Sequence, residues 1–207
     1  MDHFQERTKK KKTLFINSCV RENSRTLELA RCFIDGLSDE IREINLQEEK
    51  IKPLDVDTLR LRDTLVRDRC FDHTLLRYAN EFSQADQIVI AAPYWDLSFP
   101  SLLKIYSEAV TVCGVTFRYG EDGIPKGLCR AKELVYITTA GGPVTCDFGY
   151  SYIRSLAPTF FGIDQTSCFR AEGLDIDGAD TDGIMQKARL EIEEAKAVYR
   201  QSISTVK

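Results

Sequence analysis

Three stretches of this 207-residue chain concentrate side chains suited to holding a ligand. The first, Asn17-Ser-Cys-Val-Arg-Glu-Asn-Ser-Arg-Thr26, is dense in hydroxyls and amides and runs into a segment of helical period. Backbone N–H groups at a helix start lack intrahelical partners and attract anions. Ser18, Asn23, Ser24 and Thr26 add donors with little extra charge, which suits a phosphate monoester, although Asn23 and Ser24 also fit an ordinary N-cap. The second, Pro93-Tyr-Trp-Asp-Leu-Ser-Phe-Pro100, follows directly on the apolar run Gln87 to Ala92 and puts Tyr94 and Trp95 at its rim, two rings able to lie flat against a planar group. The third, Thr138-Thr-Ala-Gly-Gly-Pro143, carries Gly141 and Gly142, where the backbone can approach a flat ring with no Cβ between them.

Strands must end where these stretches begin. Thr13 to Asn17, Gln87 to Ala92 and Glu133 to Thr139 are apolar runs of strand length, Glu40 to Leu46 reads as a half-exposed strand, and Gln165 to Arg170 as a short last one. Helical spacing fills the intervals. It is carried by Leu27, Ala30, Phe33, Ile34 and Leu37 (closed by Gly36 and Ser38), by Phe71 to Phe82, by Leu102 to Cys113 from about Pro100 to a stop at Gly114, by Tyr150 to Phe161, and by Met185, Ala188, Ile192, Ala195 and Tyr199. Residues 47–70 are charged and read as a surface excursion with at most a short helix. Strands alternating with helices demand parallel pairing and right-handed crossovers. The fold class expected is α/β, a three-layer α/β/α sandwich with a five-stranded parallel sheet in the order 2-1-3-4-5, and ligands belong beyond the carboxyl ends of its strands.

Composition narrows the classes. Hydrophobic residues are 43% and charged residues 29%, with a net charge of -4, so no broad basic face is offered to nucleic acid. No apolar run reaches membrane-spanning length, and the polar start, ending in Lys9 to Lys12, lacks the core of a secretory signal; a cytoplasmic location is expected. Residues 1–11 read as a flexible basic tail and 12–207 as a single domain. Seven cysteines without a Cys-x-x-Cys pair point to neither a disulfide framework nor a metal site. Cys19 and Cys146, each inside a ligand loop, read as packing thiols more than as redox-sensitive ones, and His3 and His73 as structural rather than catalytic. The nucleoside-triphosphate loop and the Gly-x-Gly-x-x-Gly fingerprint are both missing. A phosphate cradle, an aromatic shelf and an open glycine loop together describe one elongated ligand with a phosphate at one end and a polar-edged ring at the other. Flavin mononucleotide (FMN) fits that description.

At these residues the sequence resembles the flavodoxin-like NAD(P)H-dependent oxidoreductases, in the branch of FMN-dependent azoreductases and quinone reductases. The likeness spans roughly residues 12–203 and includes Ala109 to Leu128, which resembles the segment joining the third helix to the fourth strand in that branch. The resemblance implies that Ser18, Ser24, Arg25 and Thr26 hold the phosphate and that Pro93, Tyr94, Trp95, Asp96, Leu97, Thr139, Ala140, Gly141 and Gly142 edge the ring. It implies a ping-pong oxidoreductase that passes hydride from NADH or NADPH through flavin N5 to a flat aromatic acceptor such as a quinone, an azo or nitroaromatic compound, or a free flavin. No side chain is assigned as catalytic; the N–H groups of Gly141 and Gly142 are read as stabilisers of negative charge at the ring's N1–O2 edge. Trp95, Phe117, Tyr119, Phe148 and Tyr150 are the expected substrate-pocket wall, with core or dimer packing as the other reading of the last four. Two-fold homodimers are implied, with the third helix and Val115 to Tyr119 as the contact. The chain departs from the azoreductase Met-Tyr-Asn-Phe by carrying Tyr94-Trp95-Asp96-Leu97, which replaces an amide with a carboxylate. Two readings stand beside the enzyme: an electron carrier of the flavodoxin type, and an interaction protein that has lost its flavin.

Overall fold

The computed structural model describes residues 10–37 and 40–204, and side chains through residue 197. Most of the expected tail, Ser38 and the Tyr199 side chain lie outside the described residues. Strand β1 (Lys12–Asn17) leads to helix α1 (Arg25–Ile34), then β2 (Glu40–Asn45), α2 (Val56–Arg67), α3 (Arg77–Gln84), β3 (Gln87–Ala91) and α4 (Ser101–Val110). A hairpin, β4 (Phe117–Tyr119) and β5 (Pro125–Gly127), precedes β6 (Glu133–Thr139), α5 (Tyr150–Leu156), β7 (Gln165–Ala171) and α6 (Thr181–Ser204). Five strands form one parallel sheet in the order β2-β1-β3-β6-β7. The expected order is kept, renumbered only because the hairpin supplies two strands outside that sheet.

Side chains along a strand alternate between faces, and the core divides accordingly. Leu14, Ile16, Ile88, Ile90, Leu134 and Tyr136 bury one face against α3, α4 and α5 residues such as Phe82, Leu103 and Ile153. Phe15, Val89, Ala91, Val135 and Ile137 bury the other against Leu29 and Phe33 of α1 and Met185, Ala188 and Ile192 of α6. Because β1, β3 and β6 are covered on both faces, they read as continuous apolar runs, whereas the edge strand β2 keeps only Ile44 fully buried.

Several boundaries differ from the sequence expectation. The 47–70 excursion contains a three-turn helix, α2, whose N-cap Asp55 accepts from the Thr58 N–H; only Leu65 of it is buried, which is why its charged face resembled a loop. Helix α4 ends at Val110, short of Cys113, because the Thr116 hydroxyl donates to the Val110 carbonyl and accepts the Val112 N–H, turning the chain toward β4. The 150–161 helix widens to a π turn over Ala157–Phe161, where Pro158 supplies no N–H, and stops at Gly162 in the left-handed conformation. The last strand is not short: β7 pairs with β6 along its whole length.

Candidate functional site

In a parallel sheet all carboxyl ends share one edge, and here that edge holds the loops after β1, β3, β6 and β7. They enclose a cleft of about 230 Å³ lined by the start of α1, by Pro93, Tyr94 and Trp95, by Thr139, Ala140 and Gly141, and by Leu174 and Asp175. The three stretches singled out in the sequence therefore converge. Helix α1 opens the site: the Ser24 hydroxyl accepts the Leu27 N–H, and the Ser24 carbonyl accepts that of Glu28, while the first-turn N–H groups of Arg25 and Thr26, two residues of the cleft lining, have no intrahelical partner.

Buried hydroxyls fix the spacing of the loops. Thr26 and Thr139 share a hydrogen bond of 2.6 Å, tying the first turn of α1 to the end of β6. The Tyr94 N–H donates to the Thr139 carbonyl at 3.0 Å and its phenol to the Cys146 carbonyl at 2.6 Å, so the aromatic loop is laced to the glycine loop at two levels. The glycine loop is held from behind: the carbonyls of Ala140, Gly141 and Gly142 accept from Leu174, Asp175 and Gly173. Their orientation leaves the N–H groups of Gly141 and Gly142 without a protein acceptor among the described residues. A Cβ placed on Gly142 meets nothing within 4 Å, so space lies open above it. Arg170, gripped by Asp147 and by Glu172, anchors the 143–150 segment to β7. Trp95 and Ser98 exchange two backbone hydrogen bonds, of 3.1 and 2.7 Å, around Asp96 (φ 51) and Leu97 (φ 66). Two successive left-handed residues make a tight type I′ turn, strained for a leucine, that presents Trp95 at the cleft mouth.

Not every expected residue reaches the cleft. Ser18 is buried, and its hydroxyl and N–H both donate to the Ala91 carbonyl, at 2.8 and 2.9 Å. Asp96 and Leu97 are exposed and do not line the cleft. Phe117 packs in the hairpin against Phe160 and Tyr119, and Tyr150 stacks near Tyr136 with its phenol on Thr166. Phe148 is exposed beside the rim, its N–H on the Leu97 carbonyl. None of these four aromatics lines the cleft within one chain. Conversely, Leu174 and Asp175 line it without having been singled out; the only signal was that they follow the last strand of an open sheet. Burial pushes the Cys19 thiol up to about 11, which leaves it protonated and inert near neutral pH. His73 serves as an N-cap, its Nδ1 accepting from Leu75. Among the described residues no helix is long and apolar enough to cross a membrane, and no cluster of metal-ligating side chains occurs.

Comparisons with known proteins agree with this architecture. A family model described as "Flavodoxin-like fold" matches residues 11–195. The FMN-dependent NADH:quinone oxidoreductase 2 of Clostridium acetobutylicum is 35% identical over 198 residues, covering 89% of this chain and 96% of that protein. The FMN-dependent NADH:quinone oxidoreductase of Coprothermobacter proteolyticus is 33% identical, covering 88% and 96%. Among solved structures, an azoreductase from Bacillus anthracis superposes with a TM-score of 0.78 at 24% identity, covering 89% of this chain and 98% of that one. A second from the same organism, an FMN-dependent NADH-azoreductase in complex with FMN, superposes at 0.76 and 23%, covering 91% and 99%. These likenesses to solved structures carry the fold; the curated relatives carry the family. The chain belongs to the flavodoxin-like-fold family that includes the FMN-dependent NADH:quinone oxidoreductases.

Proposed function

We propose that this protein is an FMN-dependent oxidoreductase that takes reducing equivalents from NADH and delivers them to a flat aromatic acceptor, a quinone or an azo compound. The observation that carries the reading is the single cleft shared by the α1 start, Trp95 and the glycine loop. Its residues fit the cofactor. The free N–H groups of Arg25 and Thr26, with Arg25 itself, suit the phosphate; Pro93 and Tyr94 form a wall and Trp95 a lip; the N–H groups of Gly141 and Gly142, with open space above Gly142, suit the polar edge of the ring. When bound, FMN supplies the hydride-accepting centre at N5.

The chain's own contribution is positioning and electrostatics. The Thr26–Thr139 bond and the Tyr94 bonds hold the cradle, the wall and the glycine loop at fixed separations, so little reorganisation is needed on binding. Ser18 acts one layer behind, seating the β1 loop against β3. NADH and the acceptor use the same open side in turn, which gives ping-pong kinetics. A homodimer belongs to this proposal. Leu97 and Phe148 are 45% and 63% exposed beside the cleft, an apolar rim that a second copy would cover, closing the acceptor slot. The test is anaerobic mixing of FMN-loaded protein with NADH, then steady-state rates with a benzoquinone. Bleaching of the oxidised-flavin absorption band and parallel double-reciprocal lines are expected; a band that stays intact under NADH, or intersecting lines, contradicts the reading.

A further inference from the structure

The carboxylate that faces the cleft is that of Asp175, in the loop between β7 and α6, and not that of Asp96. Asp175 Oδ1 accepts from Arg25 Nη1 at 2.8 Å, and the same nitrogen donates to the Leu174 carbonyl at 3.1 Å. The pair joins opposite walls, the first residue of α1 and the loop after the edge strand. Gly141 has no positive φ, so its backbone does not require glycine, yet a Cβ there would lie 2.4 Å from Asp175 Oδ2. The missing side chain at 141 is thus the room in which this carboxylate sits. Arg21 and Arg25 are the two arginines lining the cleft, and the charge of Arg25 is already met by Asp175 before any anion arrives.

We propose that the Arg25–Asp175 pair is an electrostatic clasp that sets affinity for the phosphate end of the cofactor, Asp175 neutralising Arg25 and repelling the incoming phosphate. The inference rests on the cleft being the FMN site. With side chains 41% and 62% exposed, the ion pair contributes little to folding. Its effect falls on a ligand that brings a second negative charge to the same arginine. Removing the carboxylate frees Arg25 for the phosphate and deletes a like charge, which in a partly exposed site corresponds to roughly a five-fold change in affinity at low salt.

The test measures dissociation constants of FMN and of phosphate-free riboflavin through the emission of Trp95, the sole tryptophan, in apoprotein of the wild type, Asp175→Asn, Arg25→Ala and the double variant. Asp175→Asn is expected to bind FMN roughly five-fold more tightly at low salt, with the gain shrinking as salt rises, absent for riboflavin and abolished by Arg25→Ala. An Asp175→Asn variant whose FMN affinity is unchanged or weaker, or whose riboflavin affinity moves equally, overturns the clasp and leaves the cofactor reading intact. Wild-type protein that binds neither flavin overturns both.

Discussion

The hydroxyl pair between Thr26 and Thr139 offers a sharp test of how the site is held together. Thr26 is 1% exposed and Thr139 9%, and their 2.6 Å bond joins α1 to β6 at the wall of the cleft. Thr26→Val preserves shape but deletes one partner. The lost bond is worth about 1 kcal/mol net, and the stranded Thr139 hydroxyl adds a desolvation cost of about 1–3 kcal/mol, so the single variant should lose roughly 2–4 kcal/mol. For a chain of 207 residues each kcal/mol moves the melting temperature by about 2–4 °C, giving a fall of roughly 4–16 °C. Thr26→Val with Thr139→Val removes both polar groups, and an apolar pair of the same shape should recover most of the loss, to within about 1 kcal/mol of wild type. Urea unfolding of the four proteins gives the coupling energy directly. If the double variant is destabilised by the sum of the singles, the two hydroxyls are not satisfying one another and the tie between cradle and glycine loop is refuted.

Other consequences follow at the same site and beyond it. Gly142→Ala should leave apoprotein stability within about 0.5 kcal/mol of wild type, since nothing meets the new methyl, but weaken FMN at least about ten-fold; unchanged FMN affinity by Trp95 quenching would remove Gly142 from the ring's edge. Replacing Asp96-Leu97 by Asn-Gly, which favours the type I′ geometry, should raise stability by about 1 kcal/mol in urea unfolding, and a loss would show that the turn is not strained. Burial raises the thiols of Cys19 and Cys168 to about 11 and of Cys129 to about 12. Because the folded state keeps these protons where the unfolded chain loses them, their contribution is complete below about pH 9 and is lost as pH rises through 11 to 12. The melting temperature should therefore decline from pH 9 upward, less steeply in a variant with all three replaced by alanine.

Much of this was legible in the sequence because the relevant physics is local. Runs such as Gln87 to Ala91 and Glu133 to Thr139 suit strands covered on both faces, and parallel connection then forces their following loops to one edge. What sequence could not display was side-chain direction. Ser18 looked like a phosphate ligand by composition, but its hydroxyl turns inward to Ala91. Asp96 was read as part of the ring's edge, but it is exposed and does not line the cleft. Asp175 was silent because nothing in its neighbourhood marks a binding loop; it enters the cleft only through the pairing of β7 with β6 and the room above Gly141. The β4–β5 hairpin escaped, and α2 was foreseen only as at most a short helix, for the opposite reason, the one being too short and the other too charged to show a period.

The claim on which the rest depends is that three loops form one binding site for one flavin, and the emission of Trp95 reports on it most directly. Titration of apoprotein with FMN should quench that emission saturably, with an endpoint at one flavin per chain, and Gly142→Ala should shift the curve to higher concentration without changing its endpoint. Quenching that grows linearly without saturation, or a curve indifferent to Gly142→Ala, contradicts the account.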